Sequence, residues 1–424
     1  MLVGVDLRDG RTGSALLDYT CEESVAELAE LAHSAGAEVL GSTIQKREKP
    51  DPTTLIGRGK VTEIKAWAEE VKADFVLFDE NLTSGQQRNL ERVLEARVLD
   101  RTQLILDIFA RHARTREGRL QVELAQLSYL LPRLTGRGVA MSRLGGGIGT
   151  RGPGESKLET DRRRIAKRID KLKADLEKVR SIRRLQRGKR TAVPIETVAL
   201  AGYTNAGKST LFNALTQAGV LADQKMFATL DPTIRPLELP SRRRVLLSDT
   251  VGFIRNLPTT LVEAFRATLE EVVEAAMILH VVDLSSAGRA EQTRQVDRIL
   301  SELGAQEKPQ LLVLNKSDSV EIAEAKAIER AERGAGSRLE VVVVSAKTGS
   351  GLDTLAKTID RVLPTDFERV HYRFDHNQGD KLELLYRSGQ VLVRTDDDLG
   401  VAVTADVPPA VRSRLADFQS AERP

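Results

Sequence analysis

The residues GYTNAGKST, 202–210, follow an apolar run at 197–201 and lead into a helical pattern. Their glycines let backbone amides curl around a β-phosphate, Lys208 can neutralise the β- and γ-phosphates, and the Ser209 hydroxyl can bind magnesium. A strand, a glycine-rich turn and a helix in this order predict an α/β domain with a phosphate-binding loop. We expect the whole stretch to contact nucleotide: Gly202, Tyr203, Thr204, Asn205, Ala206, Gly207, Lys208, Ser209 and Thr210.

A second segment, DTVG at 249–252, closes the apolar run at 244–248. This pattern predicts a switch-two element, with the Asp249 carboxylate beside the magnesium shell and the Gly252 amide where a γ-phosphate would lie. The expected nucleotide contacts here are Asp249, Thr250, Val251 and Gly252.

The segment FATLDPT, residues 227–233, lies between these two motifs, where switch one is expected. A threonine hydroxyl there completes the magnesium shell begun by Ser209; Thr229 is the expected ligand and Thr233 is the alternative. The expected nucleotide contacts in this segment are Phe227, Ala228, Thr229, Leu230 and Asp231. The expected catalytic residues of the site are Lys208, Thr229 and Gly252.

The base is predicted to be guanine from Asn315-Lys316-Ser317-Asp318 at another strand end. The Asp318 carboxylate can accept hydrogen bonds from the N1 proton and the exocyclic amine of guanine, donors that adenine does not present in that arrangement. Because all the motifs occur in order and each follows a strand, GTP and GDP are the predicted ligands. The expected contacts to the base are Asn315, Lys316, Asp318, Ser345, Ala346 and Lys347.

Two positions bear on hydrolysis. Phe253 follows Gly252, where several small GTPases carry a water-orienting glutamine, so we expect slow intrinsic hydrolysis that a partner accelerates. Asn205 has two interpretations: it resembles the asparagine through which some GTPases hold a potassium ion against the phosphates, or it caps the loop. Magnesium is therefore the expected cation, and potassium is a second cation only under the first interpretation of Asn205.

Apolar runs alternate with helical patterns in the first hundred residues, which predicts a small parallel α/β unit. The turn at 55–60, LIGRGK, is too short for a phosphate loop, and Thr83 or Ser84 is the expected cap of a helix. The predicted strands are 2–6, 38–43, 74–79 and 97–100, and the predicted helices are 22–35, 60–73 and 84–94.

Two helices with apolar seams follow, and we expect them to form an antiparallel hairpin. Their seams are Leu120, Leu124, Leu127 and Leu131 in the first helix, and Ile165, Ile169, Leu172, Leu176, Val179 and Ile182 in the second. The loop between them, 134–154, contains eight glycines and three arginines.

Positive charge is concentrated in this hairpin and its loop, which together we call the arm. Residues 133–190 contain 19 basic and 6 acidic residues, a net charge of +13, whereas the whole chain sums to only +3. The arm therefore predicts contact with a phosphate backbone, RNA rather than DNA, although a solvated helix with a flexible linker has the same composition.

The predicted fold class is α/β: a P-loop GTPase domain preceded by a small parallel α/β unit with a helical hairpin and followed by a small α+β cap. The expected boundaries are 1–112, 113–192, 193–365 and 366–424, with strand-like alternation at 381–386 and 391–394 in the cap. A single cysteine, Cys21, excludes an internal disulfide. Without a targeting signal or a membrane span in the sequence, we expect a cytoplasmic protein, and we expect a monomer.

The chain resembles the HflX family of translational GTPases up to about residue 365. The resemblance includes every nucleotide motif above and rests also on 55–60, 79–88, 100–102, 119–127, 152–155 and 159–163. It implies a protein that binds the large ribosomal subunit and its rRNA, hydrolyses GTP in response, and separates the subunits of stalled ribosomes under stress. In that family the arm reaches into ribosomal RNA, so the candidate RNA contacts are Arg137, Arg143 and Arg151.

Two alternatives remain open at this stage. A GTPase acting in RNA maturation would use the same arm on free RNA. A GTP-regulated scaffold would bring the basic helices to acidic lipids, as a weak peripheral contact rather than integral association. The apolar seams are used in packing the two helices together, so no hydrophobic face remains to insert into a membrane. This argues against the scaffold.

Overall fold

A computed structural model describes residues 1–7, 20–134, 153–190, 195–216, 226–227, 233–255, 269, 271–334, 340–363, 368–397 and 400–420 of the chain. The chain divides into two compact units. The first comprises Met1–Val179, Asp223–Asp231 and Ile254–Thr268, and the second comprises Arg180–Ala222, Pro232–Phe253 and Leu269–Pro424. In the described part of the chain every helix is too short or too polar to cross a membrane.

The first unit contains a four-stranded parallel sheet in the order β2-β1-β3-β4. Its apolar strands and amphipathic helices share one core in which Val3, Phe78 and Val98 are fully buried. The strands are β1 (Leu2–Leu7), β2 (Ser42–Arg47), β3 (Phe75–Phe78) and β4 (Arg97–Asp100), and the helices are α1 (Cys21–Ser34), α2 (Arg58–Glu70), α3 (Ser84–Leu94) and α4 (Arg101–His112).

The predicted elements of this sheet are confirmed except for β2, whose predicted range was wrong. The strand lies at Ser42–Arg47 rather than 38–43, in register from Leu2↔Ser42 to Leu7↔Arg47. An edge strand needs little burial, so its sequence STIQKR is polar, whereas the apolar Leu40 before it is 43% exposed. Thr83, not Ser84, caps α3 in a capping box with Gln86.

The arm consists of α5 (Arg116–Leu130), a 3₁₀ turn at Leu131–Leu134 and the long helix α6 (Pro153–Arg190). The seam of α6 is confirmed at Ile169, Leu172 and Leu176, which are buried, but Ile182 is 55% exposed. The predicted seam leucines of α5, Leu120, Leu124 and Leu127, are only half-buried. The buried face of this helix carries other residues: Glu117, Gly118, Gln121, Val122, Ala125 and Tyr129. A bidentate contact between Arg168 and Glu123 joins α6 to α5. The glycine-rich loop with Arg137, Arg143 and Arg151 lies outside the described residues.

Arg133, the first residue of the basic segment 133–190, has a structural role. Its guanidinium lies 3.5 Å from the ring centroid of Tyr129 and donates to the Leu82 carbonyl at 2.7 Å and to Asp100 Oδ2 at 3.2 Å. This side chain therefore fastens the end of α5 to the carboxyl edge of the sheet and is not a free surface charge.

The second unit contains a six-stranded sheet in the order β10-β9-β8-β5-β7-β6. The strands are β5 (Thr197–Gly202), β6 (Thr233–Glu238), β7 (Arg244–Asp249), β8 (Met277–Asp283), β9 (Gln310–Asn315) and β10 (Glu340–Val343). The helices are α7 (Lys208–Thr216), α8 (Arg289–Glu302), α9 (Ile322–Gly334) and α10 (Leu352–Val362), with a 3₁₀ turn at Ser317–Ser319. The pairs are parallel except β6 with β7, and β6 was not predicted from the sequence. The edge position of β6 and the proline at 236 make this strand hard to recognise in the sequence.

The same unit ends in a three-stranded antiparallel sheet in the order β11-β13-β12. Its elements are β11 (Glu368–Phe374), α11 (Gly379–Ser388), β12 (Gln390–Asp397), β13 (Gly400–Val407) and α12 (Pro409–Arg414), followed by a 3₁₀ turn at Ala416–Phe418. The predicted strand at 391–394 is confirmed within β12. The one at 381–386 was wrong: this stretch lies in α11, whose Leu385 is fully buried against the sheet, and tertiary packing selects helix over a short ambiguous alternation.

Candidate nucleotide-binding site

The phosphate loop connects the buried strand β5 to the first turn of α7, as its sequence predicts. Gly202 lies so close to β8 that a Cβ would meet the Val281 carbonyl oxygen at 2.2 Å. Gly207 has φ +87°, and a Cβ there would lie 2.3 Å from Asn315 Nδ2. Both positions therefore need glycine, because a side chain would collide with the β8 backbone or with Asn315.

Lys208 lies at the start of α7 with 6% of its surface exposed. Its Nζ donates a hydrogen bond to the Tyr203 carbonyl oxygen at 2.7 Å, across the loop. Burial lowers the pKa of Lys208 to about 8, partly opposed by the negative charge of Asp249. A buried ammonium group held inside a phosphate loop is suited to neutralise phosphate oxygens.

A hydroxyl and a carboxylate lie together beside the loop. The Ser209 hydroxyl donates to Asp249 Oδ2 at 2.6 Å, and the Thr250 hydroxyl donates to the Leu200 carbonyl oxygen. Magnesium prefers such hydroxyl and carboxylate oxygens together with substrate phosphates. The residues therefore fit magnesium, with Thr250 fixing the strand end that presents Asp249.

The switch-two turn is attached directly to the phosphate loop. Phe253 N donates to the Gly202 carbonyl at 3.0 Å, and Thr204 N donates to the Phe253 carbonyl at 2.8 Å. The Phe253 side chain is 2% exposed and belongs to a core with Ala201 and Ile278. The position after Gly252 thus gives the site backbone groups and no polar side chain.

Asn315 and Asp318 are held by the residues around them. Asn315 Nδ2 donates to the Ala206 carbonyl at 2.9 Å, and its Oδ1 accepts from Ala346 N at 3.0 Å. Ser345 Oγ donates to Asp318 Oδ1 at 2.6 Å, and this bond lowers the pKa of Asp318. The structure thus brings the loop, the base motif and the 345–347 turn into one hydrogen-bonded group, with Asp318 and Lys347 exposed to accept a ligand.

Asp283, which lies beside the base motif, was not predicted from the sequence. Lys316, in the left-handed conformation at φ +63°, makes a 2.7 Å ion pair with Asp283 Oδ2. Asp283 ends β8 directly opposite Asn315 in the register. The sequence signal that could have identified Asp283 was an acidic residue at the carboxyl end of β8, the strand beside the base motif.

The switch-one predictions have different outcomes. Thr233 begins β6 opposite Asp249, while Ala228, Thr229, Leu230 and Asp231 lie outside the described residues. Phe227 belongs to the first unit, where its buried ring packs edge-on against Phe109 with centroids 4.6 Å apart. Asn205 is exposed in the left-handed conformation at φ +60°.

Family models match the chain in three successive segments. Residues 22–110 match "GTP-binding GTPase N-terminal", 112–190 match "GTP-binding GTPase Middle Region", and 197–316 match "50S ribosome-binding GTPase". Together they include the parallel sheet of the first unit except β1, the arm, and the nucleotide site up to Lys316.

Curated relatives match along most of the chain. GTPase HflX of Caldanaerobacter subterraneus subsp. tengcongensis is 48% identical over 94% of this chain and 90% of its own length. GTPase HflX of Escherichia coli K12 is 45% identical over 84% of this chain and 83% of its own. Among solved structures, a GTP-binding protein from Sulfolobus solfataricus in complex with GDP is 24% identical, with a TM-score of 0.44 over 85% of this chain and 98% of its own.

Proposed function

This chain belongs to the HflX family of GTPases, and from that premise we propose that it binds the large ribosomal subunit and separates the subunits of stalled ribosomes under stress. It is a GTP hydrolase with a guanine-nucleotide site in its P-loop domain. The ribosomal partner is supported by the model matched at 197–316, whose description is a 50S ribosome-binding GTPase.

The observation that carries the proposal is the exposed basic face of α6. Arg162, Arg163, Arg164 and Lys167 are exposed, while the apolar side of the same helix is buried. Surface ion pairs to Glu159 and Asp161 neutralise only part of this charge. Guanidinium and ammonium groups on a rigid helix bind phosphate backbones, so ribosomal RNA is the expected contact.

The nucleotide site acts as a switch in this proposal. GTP contacts Lys208 and Gly252 through its γ-phosphate, which orders the two switch segments in a form that binds the subunit tightly. Magnesium would be held by Ser209 and Thr229 with Asp249 beside them, and it supplies positive charge to the phosphates. Potassium is the second proposed cation, with Asn205 as its ligand.

Intrinsic hydrolysis is slow in this proposal because Phe253 gives the attacking water no polar side chain. The ribosome raises the rate by ordering the switches or by supplying a polar group. Binding of the GTP form separates the subunits, and hydrolysis then releases the protein.

The first experiment is GTP hydrolysis with and without purified large subunits in potassium buffer, repeated in sodium, with Lys208→Ala as the inactive control. Strong stimulation by the subunits, with faster hydrolysis in potassium, is the expected result. An unchanged rate with subunits, together with binding of isolated RNA, would replace the ribosomal proposal by RNA maturation. Equal rates in the two salts would remove the potassium ligand.

Separation is tested by sedimenting intact ribosomes after incubation with the protein and a non-hydrolysable GTP analogue. We expect free subunits with the analogue and none with GDP. Intact ribosomes with the analogue but free subunits with GTP would show that hydrolysis, not binding, drives separation.

A further inference from the structure

Thr204 is a buried polar residue at the centre of the phosphate loop. It is 5% exposed, and its hydroxyl oxygen has no hydrogen-bond partner among the residues that the structure describes. Its backbone amide is engaged by the Phe253 carbonyl at 2.8 Å. A buried hydroxyl without a partner costs free energy, so its presence in a loop built to hold a ligand needs a reason.

The position of Thr204 is defined by its contacts with Gly252. A Cβ built on Gly252 would lie 2.9 Å from Thr204 Cα, 2.9 Å from Thr204 Cγ2 and 3.0 Å from Lys208 Nζ. The Thr204 side chain and the Lys208 ammonium group therefore border the same small space over Gly252. In a phosphate-loop GTPase this is where the γ-phosphate is bound, between the loop lysine and the switch-two glycine amide.

The switch-two side chain does not compete for this space. Phe253, at the position where a water-orienting glutamine would stand, is 2% exposed and packed in the core. The buried hydroxyl beside this space belongs to Thr204, a residue of the phosphate loop itself. One rotation about its Cα–Cβ bond exchanges the methyl group that faces Gly252 for the hydroxyl.

We infer that Thr204 is a catalytic residue for GTP hydrolysis: its hydroxyl donates a hydrogen bond to a γ-phosphoryl oxygen and does so most strongly in the transition state. The water oxygen forms a bond to the γ-phosphorus as the bond from that phosphorus to the β–γ bridging oxygen breaks. The electron pair of the broken bond leaves with GDP, and the water proton leaves with inorganic phosphate. Charge spreads over the equatorial oxygens of the transferred group during this step. Thr204 keeps its proton and stabilises that charge as a fixed donor.

The test is single-turnover GTP hydrolysis by the full chain without ribosomes, comparing Thr204→Val with Thr204→Ser. Valine preserves the shape and removes the donor, whereas serine keeps the donor. A hydrogen bond to a charged group implies a rate roughly 10- to 100-fold lower in the valine variant and near-normal in the serine variant. Thr358→Val is the matched control, since Thr358 is equally buried and its hydroxyl bonds only within α10, to the Thr354 carbonyl.

Nucleotide affinities distinguish a catalytic role of Thr204 from a structural one. GDP has no γ-phosphate, so Thr204→Val should bind GDP normally but bind GDP with aluminium fluoride more weakly, by the same factor as the loss in rate. Unchanged rate and unchanged aluminium-fluoride affinity would overturn the inference. An equal loss of GDP affinity would also overturn it, because the hydroxyl would then maintain the loop. The inference rests on GTP hydrolysis alone, so failure of the ribosomal proposal leaves it standing.

Discussion

Lys208 shows at the residue scale how the fold prepares a group for a ligand. Removal from water lowers the pKa of its ammonium group to about 8, and in this form of the protein its charge is satisfied by the Tyr203 carbonyl. Phosphate oxygens favour the charged form far more than a carbonyl does. Nucleotide binding should therefore raise the pKa of Lys208.

This linkage predicts a pH dependence of GDP affinity. Below pH about 8 the free protein already carries the proton and affinity is constant. Above that pH the free protein must take up a proton to bind, so affinity falls by up to roughly tenfold per pH unit until the pKa of the complex is reached. Calorimetry in buffers of different ionisation enthalpy measures the proton uptake directly.

Lys208→Arg is the control for this prediction, since a guanidinium group stays protonated throughout the range. Its affinity should be weaker but independent of pH. If the unsubstituted protein shows no proton uptake at about pH 8.5, the pKa of Lys208 in the free protein is not the one that burial implies.

At the scale of secondary-structure elements, one buried arginine connects α4, the end of β3 and α1. Arg101, the first residue of α4, is 2% exposed; its Nη1 donates to Asp79 Oδ1 at 2.7 Å and its Nη2 donates to Glu27. Asp79 follows β3 and Glu27 lies on α1, and Ser24 of α1 donates to Asp79 at 2.5 Å. The packing of α1 and α4 over the carboxyl edge of the sheet depends on this ionic group.

Arg101→Met should destabilise the first unit by about 3–5 kcal/mol, because two buried carboxylates lose their cation. Trp67, the only tryptophan, lies on α2 in this unit, so its fluorescence during urea unfolding reports the unit specifically. Arg58→Met, an exposed change on the same unit, is the control.

A triple variant with Glu27→Gln and Asp79→Asn added to Arg101→Met should recover part of the loss, since the two buried carboxylates that bonded to Arg101 are then neutral. An unchanged unfolding midpoint for Arg101→Met alone would show that the ionic group does not hold the elements together.

On the scale of the whole molecule, charge is unevenly distributed: residues 133–190 carry +13 in a chain of +3, so the remainder carries −10. The described part of this block places Arg162, Arg163 and Arg164 on an exposed helix face and Arg133 in a structural contact. Such a segment favours a polyanion while the acidic remainder opposes non-specific binding.

If the arm binds ribosomal RNA, the logarithm of the affinity for large subunits should fall linearly with the logarithm of the salt concentration. Substituting Arg162 and Lys167 by alanine should reduce that slope by roughly 1–2, about one per lost phosphate contact. The matched control is Lys326→Ala with Arg330→Ala on the exposed face of α9. Equal slopes for both pairs, measured by co-sedimentation across a salt series, would place the RNA contact elsewhere.

Sequence patterns alone predicted the parallel strands, the order of the nucleotide motifs, guanine as the base and the basic character of the arm. These follow from local patterns: buried parallel strands are continuous apolar runs, and loops that bind phosphate need glycine, lysine and serine at set spacing. The strand ends at Asp249 and Asn315 could be located for the same reason.

The three-dimensional structure was needed to locate β2, β6 and α11, because edge strands and short alternating segments take their conformation from their neighbours. It also decided which polar residues have partners. The ion pair of Asp283 with Lys316 and the approach of Thr204 to Gly252 join residues separated by more than thirty positions. Local sequence cannot show such contacts, since they form only when strands lie side by side and bring their carboxyl ends together.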